Sequence, residues 1–183
     1  MSARMTEMRR IYLLRHAKSS WGDAGLADFD RPLNSRGRKA ARLMARHLAE
    51  AGLRPAEILC SAAKRTQETL ALIEPLLEGV PASIEEGLYL ASRHDLMARL
   101  RKLDDHLDSV MVIGHNPGIG KLADSLCDGH GEQGAVTLLK TKYPTCTLAV
   151  LDSPIKHWAE LQAGTCRLSA FVRPKDLGGD DDE

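Results

Sequence analysis

Four side chains along this sequence, Arg15, His16, Arg65 and His115, have the types and settings needed to handle a phosphoryl group. A guanidinium offers forked donors that match phosphate oxygens, and an imidazole exchanges protons or attacks near neutral pH. Taken singly, an Arg-His pair or an Arg in a first helical turn reads as solvated surface. What changes the weighting is a setting that recurs three times. Arg15-His16 follow the apolar run Ile11-Tyr12-Leu13-Leu14, Arg65 falls in the first turn of a predicted helix, and His115 follows Val110-Met111-Val112-Ile113-Gly114.

The elements that must position these groups can be read from periodicity. Ile11–Leu14 is apolar without alternation, which suits a strand covered on both faces in a parallel sheet, where ligands sit beyond the carboxyl ends of strands. Ala41, Met44, Leu48 and Ala51 recur at helical spacing, with Asn34 as N-cap and an end near Gly52. Glu57–Cys60 predicts a second strand, and Ser61 caps a helix from about Ala62 to Leu77. Arg65 would then lie beside unpaired N–H groups at the positive end of that helix, where a cation is unfavourable unless an anion joins it. Ser83–Glu86 gives a weaker third strand, followed by a helix from Ser92 or His94 through Leu96, Leu100 and Leu103.

A fourth strand over Ser109–Gly114 leads to Asn116 as N-cap, Pro117 at the first helical position and a helix to about Cys127. Gly118-Ile119-Gly120-Lys121 does not make a nucleotide-binding loop, because His115 stands where the first glycine is required and Leu122 replaces Ser/Thr. Asp128–Gly134 reads as a mobile loop. Its His130 reads as solvated, having no metal-ligand partner at suitable spacing, and His94 and His106 read as surface residues. Thr147–Leu151, Trp158–Leu161 and Arg167–Val172 are predicted strands, the last two forming an antiparallel pair across residues 162–165. The expectation is a single α/β domain, a three-layer sandwich with a mostly parallel sheet and helices on both faces. Its core spans about 9–175, with disordered ends over 1–8 and 177–183.

Composition narrows the function. The 183 residues carry 25 basic and 25 acidic side chains, so no bulk field favours nucleic acid or an anionic membrane, and a phosphate site needs local charge. Cys60, Cys127, Cys146 and Cys166 lack C-x-x-C spacing, which argues against a zinc site or a disulfide framework and for a reducing cytoplasm. No apolar run reaches membrane-spanning length. If the three strands are parallel, two guanidiniums and two imidazoles converge into a trap for a dianionic phosphoryl group. No Asp or Glu is evident in that pocket to hold Mg²⁺.

The strand ending Arg15-His16-Ala17, the Ser61-x-x-x-Arg65 helix opening and the turn Gly114-His115-Asn116-Pro117 resemble the histidine phosphatase superfamily in its phosphoglycerate-mutase-like branch. The longer stretches RHAKSSW, DFDRPLNSRG, GLYLAS and VIGHNPG are similar to its SixA-type phosphohistidine phosphatase subgroup, from about Ile11 to Phe171. The resemblance implies a covalent mechanism without metal or other cofactor. His16 would be the nucleophile, and Arg15, Arg65 and His115 would hold the equatorial oxygens. Asn116 would fix the turn or reach a phosphate oxygen, and Ser19 and Lys18 are candidates for further substrate contacts.

One position departs from the pattern. Many relatives that cleave phosphate esters place an acid in a Leu-x-Glu setting, and here Leu88-Tyr89-Leu90 puts Leu90 there. Glu85 and Glu86 are near in sequence, and Glu86 stands as the candidate general acid. The expected substrate is phosphohistidine on a protein or a related phosphoramidate. A phosphorylated small molecule cleaved as a phosphomonoester is the alternative, followed by a non-catalytic phosphate-binding domain.

Overall fold

The residues of β1 (Arg9–Arg15) alternate between two buried layers. Ile11 and Leu13 join one cluster, Tyr12 and Leu14 the other. The computed structural model describes residues 8–180. Five further strands follow: β2 (Glu57–Ser61), β3 (Ala82–Glu85), β4 (Ser109–Gly114), β5 (Leu148–Ser153) and β6 (Arg167–Val172). They form one sheet of order β3-β2-β4-β1-β5-β6. β3, β2, β4 and β1 are mutually parallel, while β5 and β6 run antiparallel to their neighbours.

Helices cover both faces. Leu14, Ile58, Cys60, Met111 and Ile113 are buried against α1 (Ser35–Glu50) and α2 (Lys64–Ile73) through Met44, Leu48, Leu70 and Ile73. Ile11, Leu13, Leu59, Val110 and Val112 are buried against α3 (Arg93–Leu100), α4 (Gly118–Cys127) and α5 (Gln133–Thr141). The architecture is the expected α/β sandwich with a mostly parallel sheet. All four cysteines are free and buried, and no helix among the described residues is long and apolar enough to cross a membrane.

Several local expectations are corrected. Trp158–Leu161 is not a strand: Trp158–Glu160 form a 3-10 turn with the indole fully buried and its Nε1–H donated to Leu107 O at 3.0 Å. β6 therefore pairs with β5 instead. α2 begins at Lys64, one turn's fraction later than Ala62, and gives way to a 3-10 turn at Glu74–Leu76, where Pro75 cannot donate to the α ladder. α4 starts at Gly118, with Pro117 preceding it rather than inside it. The expected loop to Gly134 ends sooner, because Glu132 caps α5 by accepting from Gly134 N and Ala135 N. Leu177 packs against the α1 side of the sheet and Gly179 N donates to Pro174 O at 2.9 Å, so the chain is placed through Asp180 where disorder was expected. The expectations for residues 1–7 and 181–183 lie outside the described residues.

Candidate active site

Strand register brings the three motifs together. Arg15 lies opposite Gly114, and Cys60 opposite Ile113. The residues that follow, His16, His115 and Ser61 at the end of β2, thus leave the sheet at neighbouring points. His16 N donates to Gly114 O at 3.0 Å, which fixes the exit of one motif against the other. Arg65, in the first turn of the helix that follows β2, is buried beside them. The two imidazole centroids are 5.3 Å apart.

Hydrogen bonds assign the protons. His16 Nδ1 is 2.7 Å from Ala17 O, which only accepts, so Nδ1 carries the hydrogen and Nε2 keeps its lone pair. Arg65 Nε points at that nitrogen from 3.4 Å. Burial is the main cause that pushes His16 down to about 3, with the cations of Arg65 and Arg15 adding to it. His115 Nδ1 lies 3.3 Å from Arg65 Nη2, a donor, which leaves Nε2–H to donate to Ser61 Oγ at 2.7 Å. Burial and then Arg65 lower His115 to about 4. Near pH 7 both rings are neutral, and each turns its lone pair toward Arg65, His16 through Nε2 and His115 through Nδ1.

Arg15 Nη1 donates to Tyr143 O at 2.9 Å, and Asn116 Nδ2 donates to the same carbonyl at 3.0 Å. Asn116 Oδ1 accepts from Gly120 N at 3.0 Å, so its amide joins the first turn of α4 to the strand-tip Arg. Ser19 and Lys18 are not drawn into this cluster. The Ser19 hydroxyl accepts from Arg31 Nη1 at 2.7 Å, and Lys18 lines a separate cleft with Arg36 and Lys39 on α1. Glu86 is exposed, and its side chain makes no hydrogen bond or ion pair among the described residues, while Glu85 turns away to Arg99 at 2.7 Å.

The sequence reading missed a carboxylate. Asp28, in a 3-10 turn at Asp28–Asp30, accepts from Arg65 Nη2 at 3.1 Å and from the Tyr89 hydroxyl at 2.5 Å through Oδ2. Its Oδ1 accepts from Arg31 Nε at 3.1 Å, and its backbone carbonyl accepts from Arg65 Nη1 at 2.7 Å. The Tyr89 hydroxyl, more than either arginine, holds this carboxyl down to about 2. Tyr89 also stands edge-on to His115 and to Phe29, at 5.5 and 4.9 Å between centroids. Asp28 and Tyr89 lie in the stretches DFDRPLNSRG and GLYLAS that carry the family resemblance, but a loop without periodicity does not show where it folds back. Among the described residues, no group of three His, Cys, Asp or Glu side chains is placed to hold a metal ion.

The family model described as "Histidine phosphatase superfamily (branch 1)" matches residues 11–89. An uncharacterized protein of Mycobacterium tuberculosis is 36% identical over 166 residues, covering 88% of this chain and 100% of the relative. The chain belongs to the histidine phosphatase superfamily. The fold of this histidine phosphatase is shared with the SixA protein of Agrobacterium tumefaciens, a phosphohistidine phosphatase by designation. That structure has a TM-score of 0.77 and 31% identity, covering 91% of this chain and 98% of that one. SixA of Nakamurella multipartitia, designated likewise, gives 0.77 and 27% over 91% and 96%. The histidine phosphatase described here is thus a phosphoric hydrolase.

Proposed function

We propose that this phosphatase acts on phosphohistidine or a related phosphoramidate through a covalent intermediate on His16. The observation that carries the reading is the His16 tautomer, with Nδ1–H held by Ala17 O and the Nε2 lone pair turned into the pocket, where it accepts from Arg65 Nε at 3.4 Å until a phosphoryl group takes its place. Nε2 attacks phosphorus, forming the P–N bond as the bond to the leaving group breaks. Arg15, Arg65 and His115 hold the equatorial oxygens as charge spreads over them, so positive charge comes from the protein and no metal is required. Water then attacks the phosphohistidine, its proton is lost to solvent, and His16 returns to its starting tautomer with release of inorganic phosphate.

The leaving group supports the substrate class. Expelling an alkoxide needs a positioned acid, a contribution of about 10²–10⁴-fold. The carboxyl that touches the clamp, Asp28, is held ionised, and Glu86 is exposed with no side-chain contact to the cluster. An imidazole already protonated on its other nitrogen departs neutral and needs no donor. The designation of the two SixA proteins as phosphohistidine phosphatases points the same way.

The test compares kcat/KM for phosphohistidine, an aryl phosphate and an alkyl phosphate after dialysis against chelator. The expected order is that order, with activity intact and Glu86→Gln unchanged. Acid-labile label should appear on the wild type after rapid quench and be absent, with turnover, from a folded His16→Ala. Equal efficiency on alkyl phosphate would replace this reading with a phosphomonoesterase, and loss of only alkyl phosphate cleavage in Glu86→Gln would make Glu86 the acid.

A further inference from the structure

The Arg65 guanidinium has two usable edges, and the structure fills both. The Nε–Nη2 edge faces the pocket, toward His16 Nε2 at 3.4 Å and His115 Nδ1 at 3.3 Å. The Nη1–Nη2 edge faces outward, against Asp28 O at 2.7 Å and Asp28 Oδ2 at 3.1 Å. A planar fork gripped along one edge presents the other in a fixed plane. Asp28 is in turn held: Arg31 grips Oδ1, the Tyr89 hydroxyl grips Oδ2, and Arg31 is itself tied to Ser19 Oγ at 2.7 Å. All these partners are donors, so both carboxylate oxygens are occupied.

We propose that Asp28 is a positioning residue for phosphoryl transfer, locking the Arg65 fork so that its inner edge is aimed between the two imidazoles. The proposal rests on the phosphatase reading above and adds to it a residue that never touches substrate. Preorganised donors act strongly because they need no reorientation as the transition state forms, and a small misplacement costs rate out of proportion to its size. Asp28 also offsets the charge of a clamp that stands buried beside Arg15, so the free pocket is stable before an anion arrives. Because Asp28 acts on the aim of the fork rather than on binding alone, its loss falls more on kcat than on KM.

Asp28→Asn keeps the shape and one acceptor oxygen, but it places an amide donor against Arg31 or Arg65. It should lower kcat about tenfold, with KM for an aryl phosphate changed less than about threefold. Tyr89→Phe, which removes one donor to Asp28 Oδ2, should lower kcat about threefold, and it carries the comparison if Asp28→Asn does not fold. In an Arg65→Lys background, where no fork remains to be aimed, Asp28→Asn should cost less than about twofold more. Near-wild-type kcat in both single variants, or full multiplication of the Asp28 and Arg65 losses, would overturn the proposal. A wild type that binds orthophosphate without turning over would sink the phosphatase reading and with it the role of Asp28 in phosphoryl transfer, whereas an active wild type with unaffected single variants sinks the role of Asp28 alone. A wild type that does not bind orthophosphate would overturn both.

Discussion

Arg65 is where a charge-conserving change discriminates between a cation and a fork. It is nearly fully buried and uses Nε, Nη1 and Nη2, an arrangement a lysine ammonium cannot reproduce from a single point. Arg65→Lys should lower kcat/KM by about 2–4 kcal/mol, roughly a hundredfold in rate, because the lost contacts are strongest in the transition state. Steady-state kinetics on an aryl phosphate checks this, and near-wild-type kcat/KM would show that Arg65 is no clamp. The four residues of this cluster were legible in the sequence because each sits at the tip of an apolar strand or in the first turn of a helix. Asp28 and Tyr89 were not, since a carboxylate in a Gly- and Asp-rich loop and a tyrosine beside the vacant acid position announce no partner until the loop is folded over the helix.

At the scale of elements, the segment after His16 is held by α1. Asn34, the N-cap, donates its backbone N–H to Lys18 O at 3.0 Å and accepts Gly37 N at 2.8 Å. A Cβ on Gly37 would lie 2.0 Å from Lys18 O, backbone that cannot rotate aside. Gly37→Ala should therefore cost about 3 kcal/mol or more, read as a fall in Tm, with activity reduced at temperatures where the fold persists. A Tm within about 1 °C of wild type would mean that α1 does not bear on the loop. Strands β1, β2 and β4 and helix α1 agree with their sequence signals because their periodicity and their packing coincide. Trp158–Leu161 misled for the opposite reason: the apolar side chains Trp158 and Leu161 are buried from a 3-10 turn, with the indole donating to Leu107 O. α5 was hidden because its Glu132 cap sits inside a Gly-rich run that resembles a loop.

For the whole molecule, neutral buried imidazoles couple the site to stability. In the unfolded chain each takes a proton as pH falls through about 6.5, whereas in the fold His16 does so only near about 3 and His115 near about 4. The unfolded state binds more protons in that window, so stability drops as pH falls from 6.5 toward 4, by about 2 kcal/mol per imidazole at pH 5. Denaturant titrations at pH 7.5 and pH 5 should show the difference shrinking by about 2 kcal/mol in His16→Asn, and an unchanged difference would mean that His16 is not kept neutral by the fold. The sheet order carries a further consequence. β1, the first of the sheet's strands in chain order, lies between β4 and β5, the fourth and fifth. Its apolar run must wait, unpaired, until β4 and β5 have been made, so the nascent chain is a natural client for chaperones and a slow folder dominated by distant contacts. Since the strand tips of β1 and β4 meet only when that wait ends, phosphatase activity would report completed chain assembly, and C-terminal truncations short of β5 should yield aggregates rather than weakened enzymes.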